Sequence, residues 1–341
     1  MFKKLFAIIS LIIAGVFSYF AIDSLAELWI FPVVLFGTNI VCIAVFALSL
    51  YLLTFYIKDD AVYNKPNKFY HYYLAYSLEY ICCCLCRVKL KVIGLDKLPK
   101  DKKYLIVQNH RSNLDPMVNY FALRKHNVSF ISKPENFKLF VVGKFITRTG
   151  NIPLNRENNR EGIKAILRAV ELIKSDQFSI MVCPEGTRNK FNTNILPFKS
   201  GTFKIAQKAD VPVVISSING TEKAMKRFPW RSTTVTIKII DVVNPKDFES
   251  TTELSEHAEK LIAEDLGVIV HTEEEVLMLK EGTYNPNTKQ LPAPVVENKA
   301  ESTTENQDET TLQNIQHETN ETNETNEQPT EKHSETIIDE N

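Results

Sequence analysis

The 341-residue sequence predicts an α/β domain with a mainly parallel sheet flanked by helices, preceded by an N-terminal transmembrane helical hairpin. Two long uncharged runs near the start carry the hairpin. From about Val88 onward, short apolar runs alternate with amphipathic helical stretches, the pattern of strands and covering helices in a parallel sheet. Polar motifs fall just past the ends of the strand-like runs, where open α/β sheets place their sites.

The first uncharged run, Leu5 to Ile22, holds 18 residues and the second, Leu28 to Ile57, holds 30. A span needs roughly 20 apolar residues to cross the hydrocarbon, so the second run is ample and the first short. Lys3 and Lys4 before the first run would also suit a signal peptide. No small-x-small cleavage site stands before Asp23, however, and a second apolar run follows at once, so a hairpin is the reading adopted. Lysines flank both outer ends (Lys3, Lys4; Lys58, Lys65, Lys68), whereas the connector carries only Asp23 and Glu27. The positive-inside rule then puts both ends, and everything after them, on the cytoplasmic face of the cell membrane.

FYHYYLAYSLEYICCCLC, residues 69 to 86, is too polar to span and too apolar for an open surface, which suits an interfacial or docking helix. Its contiguous cysteines lack the paired spacing of a zinc site, and no second half exists elsewhere, so no metal is expected. They read as small apolar residues, with membrane-proximal acylated thiols as the alternative. VKLKVIGL, from Val88, alternates at period two as a half-buried strand does. Strand-like YLIV (104–107), helical PMVNYFALRK (116–125), strand-like VSFIS (128–132) and a helical stretch near Phe137 to Phe145 follow. Ile163, Ile166, Leu167, Val170 and Ile173 form one helical stripe leading into the strand FSIMVC. A helix TFKIAQKA and strands at VPVVISSI and TVTIKIID complete the domain.

The predicted organisation is therefore a membrane anchor of two transmembrane helices at 1–60 and an interfacial helix at 61–87. The α/β domain follows at 88–250, then a helical C-terminal extension at 251–292 and an acidic disordered tail at 293–341. The tail has 13 Asp and Glu against Lys299 and Lys332, a charge of −11, and no apolar periodicity to offset its ordering entropy. The whole chain is −1, so residues 1–292 carry +10, which suits a domain held against an anionic leaflet.

In NHRSNLD (109–115), the histidine follows the strand YLIV and Pro116 follows the aspartate. Five residues on a regular helix leave His110 and Asp115 apart in azimuth, so they meet only across a turn. Pro116 marks Asp115 as a helix N-cap, and a cap carboxylate pointing back would also orient the imidazole; the spacing permits both roles. CPEGTRNK sets Glu185, Gly186, Thr187 and Arg188 past another strand end, on the same sheet edge. Arg156, in GNIPLNR, and Lys133, after VSFIS, supply cations suited to a phosphate or to solvent alone.

In this order the motifs resemble the glycerolipid acyltransferases that carry an HxxxxD motif, most closely those acting on 1-acyl-sn-glycerol 3-phosphate. The resemblance covers about Val88 to Asp241. Asn109, His110, Ser112 and Asp115 match the first block and Gly150 to Arg156 the second. Pro184 to Arg188 match the third, and Val211, Pro212 and Val213 the fourth. Cys183 departs from the aromatic that commonly precedes Pro-Glu-Gly, and Asn155 stands where an aspartate often precedes the arginine.

The resemblance implies acyl transfer from acyl-CoA or acyl carrier protein to the sn-2 hydroxyl of lysophosphatidic acid, giving phosphatidic acid. No cofactor is implied beyond the thioester co-substrate. His110 would be the general base and Asp115 its partner. Arg156, with Lys133 and Arg188 behind it, would hold the acceptor phosphate, and Glu185 would bind glycerol or brace Arg188. Backbone N–H groups around Glu185 to Thr187, or near the start of the helix after Asp115, are candidates for the oxyanion. The expected partners are membrane lipids and the acyl carrier, with no nucleic acid. Another glycerolipid acceptor, or a non-catalytic membrane scaffold recruiting partners through its acidic tail, are the alternatives. A serine hydrolase is disfavoured because no G-x-S-x-G surrounds Ser112 or Ser200.

Overall fold

The computed structural model describes residues 2–58, 63–155, 158–191, 194–282 and 284. The expected acidic tail at 293–341 lies outside the described residues, as does Arg156.

Two helices open the chain, α1 (Phe2–Ala21) and α2 (Ile30–Thr54), and both are long and apolar enough to cross a membrane. They pack on each other. The stripe of α1 that is buried is Phe2, Phe6, Ser10, Ala14 and Ser18, a strict i, i+4 row. Small residues along most of that row let the two backbones approach, the usual way apolar helices associate without a hydrophobic driving force between them. Only 17% and 6% of the two apolar windows are buried, so most of their surface is available to lipid.

The next helix, α3 (Lys68–Tyr80), is capped by Asn67, whose side chain accepts from the Tyr70 N–H at 3.1 Å. It is a docking helix: Tyr70, His71, Leu74 and Ala75 turn into the domain core, while Phe2 and Phe6 of α1 meet Tyr73 and Tyr80 edge-on. Its last turn widens into a π-helix at Ile81–Leu85 that buries Cys82. No disulfide joins any of the six cysteines, and burial pushes the Cys83 thiol up to about 11, which favours the packing reading of the cluster over acylated thiols.

The domain is a seven-stranded sheet. Its strands are β1 (Val88–Ile93), β2 (Leu105–Gln108), β3 (Val128–Ser132), β4 (Ile152–Pro153), β5 (Ser179–Val182), β6 (Val213–Asn219) and β7 (Thr233–Val243), in the spatial order β1-β7-β6-β2-β5-β3-β4. Every neighbouring pair is parallel except β6 with β7, which is antiparallel, so the sheet is mainly parallel and mixed. Side chains alternate between two cores. Ile106, Met181, Val214, Ile218, Val235 and Ile237 face one layer with α3, α4 (Leu114–Ala122) and α9 (Thr221–Arg227). Leu105, Val107, Ile180, Val182, Val213 and Ile215 face the other, with α7 (Asn159–Lys174), α8 (Lys204–Ala209) and α10 (Thr251–Leu266).

The apolar stretch near Phe137 to Phe145 is two helices, α5 (Pro134–Phe137) and α6 (Phe140–Arg148). Beyond α10, residues 268–271 run beside the loop after β5: Ile195 N–H donates to Ile269 O at 3.1 Å and His271 N–H to Ile195 O at 3.0 Å. A short helix follows, α11 (Glu273–Glu281), closed at its start by a Thr272–Glu275 capping box.

Candidate active site

The site forms where β2 and β5 end side by side. Gln108, the last residue of β2, donates to Ser216 Oγ of β6 at 2.9 Å and accepts from Asn119 Nδ2 of α4 at 2.6 Å. Asn119 Nδ2 also donates to Asp115 O, and Asn109 exchanges two hydrogen bonds with the Ile218 backbone at 3.0 and 2.8 Å. These four amide and hydroxyl side chains are buried and satisfied, so they fix α4, β2 and β6 rigidly around the next residue, His110. Sequence reasoning passed over Gln108, Asn119 and Ser216. Polar residues inside an otherwise apolar strand or helix were the available signal.

His110 Nδ1 lies 2.8 Å from Asp115 Oδ2. The same oxygen accepts the N–H groups of Arg111 and Ser112 at 2.7 and 2.8 Å. An oxygen receiving three donors can only be an acceptor toward the ring, so Nδ1 carries its proton and the other ring nitrogen, Nε2, is left to accept one. The imidazole is 18% exposed and its aspartate 1%, so the pair has one reachable end. Asp115 is not the N-cap that Pro116 suggests. Helix α4 starts two residues earlier than that cap implies, at Leu114 with Asn113 at the cap position. The Leu114 N–H is taken by Ser112 Oγ at 3.2 Å and Pro116 has no N–H, so the carboxylate turns upstream to the 110–112 turn.

Glu185 joins the same edge from β5. Its Oε1 accepts the His110 N–H at 2.6 Å and its Oε2 the Leu196 N–H at 3.2 Å, while Asn189 N–H donates back to His110 O at 2.9 Å. Glu185 therefore braces the backbone of His110. Burial pushes its carboxyl up to about 8, against the pull of the two backbone donors. Gly186 makes the turn after it, at φ +69°, with its N–H on Cys183 O.

A groove of about 1300 Å³ opens beside this loop, lined by Glu185, Gly186 and Thr187 and by the cations Lys133, Lys138 and Lys199. Residues Val276, Leu277 and Lys280 of α11 form part of its far wall. Lys133 thus shares the groove with the Glu185 loop, whereas His110, Asp115 and Arg188 do not line it. Lys138 and Lys199 had no motif to single them out. Among the described residues, no three His, Cys, Asp or Glu side chains converge as a metal would require.

A family described as Acyltransferase matches residues 89–218. The chain is 31% identical over 190 residues to the 1-acyl-sn-glycerol-3-phosphate acyltransferase of Helicobacter pylori, covering 54% of this chain and 78% of that protein. It is 38% identical over 138 residues to a chloroplastic protein of the same name from Brassica napus, covering 40% of this chain and 39% of that one. The solved structure of the 1-acyl-sn-glycerophosphate acyltransferase PlsC from Thermotoga maritima is 28% identical, covers 58% of this chain and 80% of its own, and superposes with a TM-score of 0.48. The chain spans less than two thirds of several relatives it matches, the Brassica napus protein among them.

Proposed function

The chain belongs to the 1-acyl-sn-glycerol-3-phosphate acyltransferase family, and from that premise we propose that it acylates the sn-2 hydroxyl of lysophosphatidic acid to give phosphatidic acid. The observation that carries the proposal is the His110–Asp115 pair at 2.8 Å, set at the carboxyl end of β2 with one reachable ring nitrogen. An alcohol is a weak nucleophile at neutral pH. Nε2 of His110 takes the hydroxyl proton as the oxygen attacks the thioester carbonyl, a step that contributes roughly 10²- to 10⁴-fold. Asp115 holds the tautomer and balances the imidazolium that forms. The tetrahedral intermediate collapses, the C–S bond breaks, and the imidazolium returns its proton to the departing thiolate. The products are the new ester and the free thiol of the carrier, so no cofactor is consumed.

The acceptor phosphate is assigned to Arg156 and Lys133, with Arg188 behind them. Of the four lysines lining the groove, Lys133, Lys138 and Lys199 suit the same anionic group, and Glu185, rather than binding glycerol, serves as the brace for His110. The donor is acyl-CoA or acyl carrier protein. Helices α1 and α2 support membrane association, and the lysines flanking them favour a cytoplasmic catalytic face, where acceptor and product exchange laterally with the bilayer.

The test is acyl transfer by the full chain in membranes, with labelled acyl-CoA and acyl carrier protein thioesters against lysophosphatidic acid, glycerol 3-phosphate and lysophosphatidylcholine. Phosphatidic acid formed by the wild type and lost in folded His110→Ala is the expected result. Undiminished product from His110→Ala refutes the mechanism, and product with another acceptor alone refutes the substrate.

A further inference from the structure

The segment between β6 and β7 is not used by the chemistry, yet its placement is distinctive. Strand β6 ends at Asn219, which pairs antiparallel with Thr236, while β7 already begins at Thr233. Residues 220–232 therefore leave and re-enter the sheet at one edge. That edge is the one holding the site, because Gln108 pairs with Ser216 and Asn109 bonds Ile218. From Met225 to Arg231 every residue is exposed, and three are large and apolar: Met225 at 57%, Phe228 at 43% and Trp230 at 86%. Isolated exposed apolar residues are ordinary, but three within six positions form a patch that water penalises. The segment is nonetheless ordered: Phe228 N–H donates to Ala224 O, Arg231 N–H to Arg227 O and Arg87 Nη1 to Pro229 O.

The charge around this patch has one sign. Lys223, Lys226, Arg227 and Arg231 accompany it against a single acid, Glu222, which is only 22% exposed, receives the Gly220 N–H and lies 3.8 Å from Lys223 Nζ. The patch is also continuous with the anchor. Phe6 of α1 meets Tyr80 of α3 at 5.5 Å, the π-turn Ile81–Leu85 carries on from Tyr80 to the same sheet edge with Leu85 exposed, and Arg87 follows to reach Pro229. An aromatic and basic surface beside membrane-crossing helices matches the interface of a bilayer, where Trp sits at headgroup depth and Lys and Arg meet anionic lipid.

We propose that residues 223–231 dock on an anionic lipid surface, with Met225, Phe228 and Trp230 entering the interface and Lys223, Lys226, Arg227 and Arg231 meeting headgroup anions. The docked segment turns the sheet edge that carries His110 toward the bilayer. This contact is independent of the acyl transfer assigned above, and its test reads no product.

Trp29 and Trp230 are the two tryptophans of the sequence, so Trp29→Phe in the full chain leaves Trp230 as the sole reporter. The protein is reconstituted in phosphatidylcholine vesicles and in vesicles containing phosphatidylglycerol. With phosphatidylglycerol, Trp230 emission shifts to the blue, is quenched by lipid-borne spin label and is shielded from acrylamide. Lys226→Gln, Arg227→Gln and Arg231→Gln each lower the docking equilibrium by about fivefold. Water-like, acrylamide-accessible emission in both vesicles overturns the proposal. So does equal burial in both compositions, or shielding that grows only with protein concentration in detergent and marks a second copy as the occupant.

Discussion

Replacing Glu185 by Gln separates two effects that meet at one buried carboxyl. The side chain is 4% exposed and offers one oxygen to the His110 N–H and the other to the Leu196 N–H. Glutamine keeps one carbonyl oxygen and turns its NH₂ toward the second donor, which leaves a buried N–H without an acceptor at a cost of about 1–3 kcal/mol. The second effect runs with pH. Burial holds the Glu185 carboxyl at about 8 in the folded protein, above its usual 4.5. The folded state therefore binds the proton more tightly than the unfolded chain, and this residue's contribution is fully present below the unfolded value and declines as pH rises toward about 8. At about 1.4 kcal/mol per pH unit, the loss between pH ~5.5 and ~8 is on the order of 3 kcal/mol. Glutamine does not titrate. The deficit of Glu185→Gln relative to wild type should therefore be larger at pH ~5.5 than at pH ~8.5, where it shrinks or reverses, since these two magnitudes are comparable. Thermal unfolding of the full chain in detergent, followed by a thiol-reactive dye that reports release of buried Cys82, measures it. A deficit that stays constant or grows with pH would refute the argument, because it would mean that the site favours the ionised carboxylate.

The proposed mechanism requires that Asp115→Asn lower kcat by 10²- to 10⁴-fold with little change in KM, since the amide still accepts from the turn but no longer balances the imidazolium; steady-state kinetics decide this. Gly220→Ala should destabilise by at least about 1 kcal/mol, because the residue sits at φ +97° and a Cβ would stand 2.3 Å from Thr234 O; a melting temperature equal to wild type would contradict it. Phe145→Ala should cost about 3–5 kcal/mol, as the ring is fully buried and meets Tyr70 at 5.7 Å, and denaturant unfolding reads the loss.

Much of the fold was legible because periodicity survives in sequence. The helix through Ile163 and Ile173 and the strands at YLIV and FSIMVC all stand where their apolar patterns put them. Their details were less accessible. In α7 the most buried line passes through Ala165, Ala169 and Leu172, so the isoleucines Ile163 and Ile166 lie on its shoulders; small alanines mark the closest approach, which a reading weighted by side-chain size misses. The antiparallel β6–β7 pair was hidden because alternation has no direction. At the site, the juxtaposition of His110 with Asp115 followed from a short turn, whereas the helix start was placed two residues late. Lys199 and α11 reach the groove from distant segments, and no local pattern records such an approach.

The pairing of β1 with β7 bears on how the protein is made. Arg87 and Pro229, which meet beside that pair, are 142 residues apart, and the strand at the sheet's edge has its partner only after nearly the whole domain has emerged from the ribosome. The apolar hairpin emerges long before. For most of its synthesis the growing chain would thus be tethered at the membrane with β1 unpaired, and closure of this non-local contact is slow by its topology. An early tether confines the search to one surface and keeps an unpaired strand away from other nascent chains, so the anchor serves assembly before it serves the folded domain.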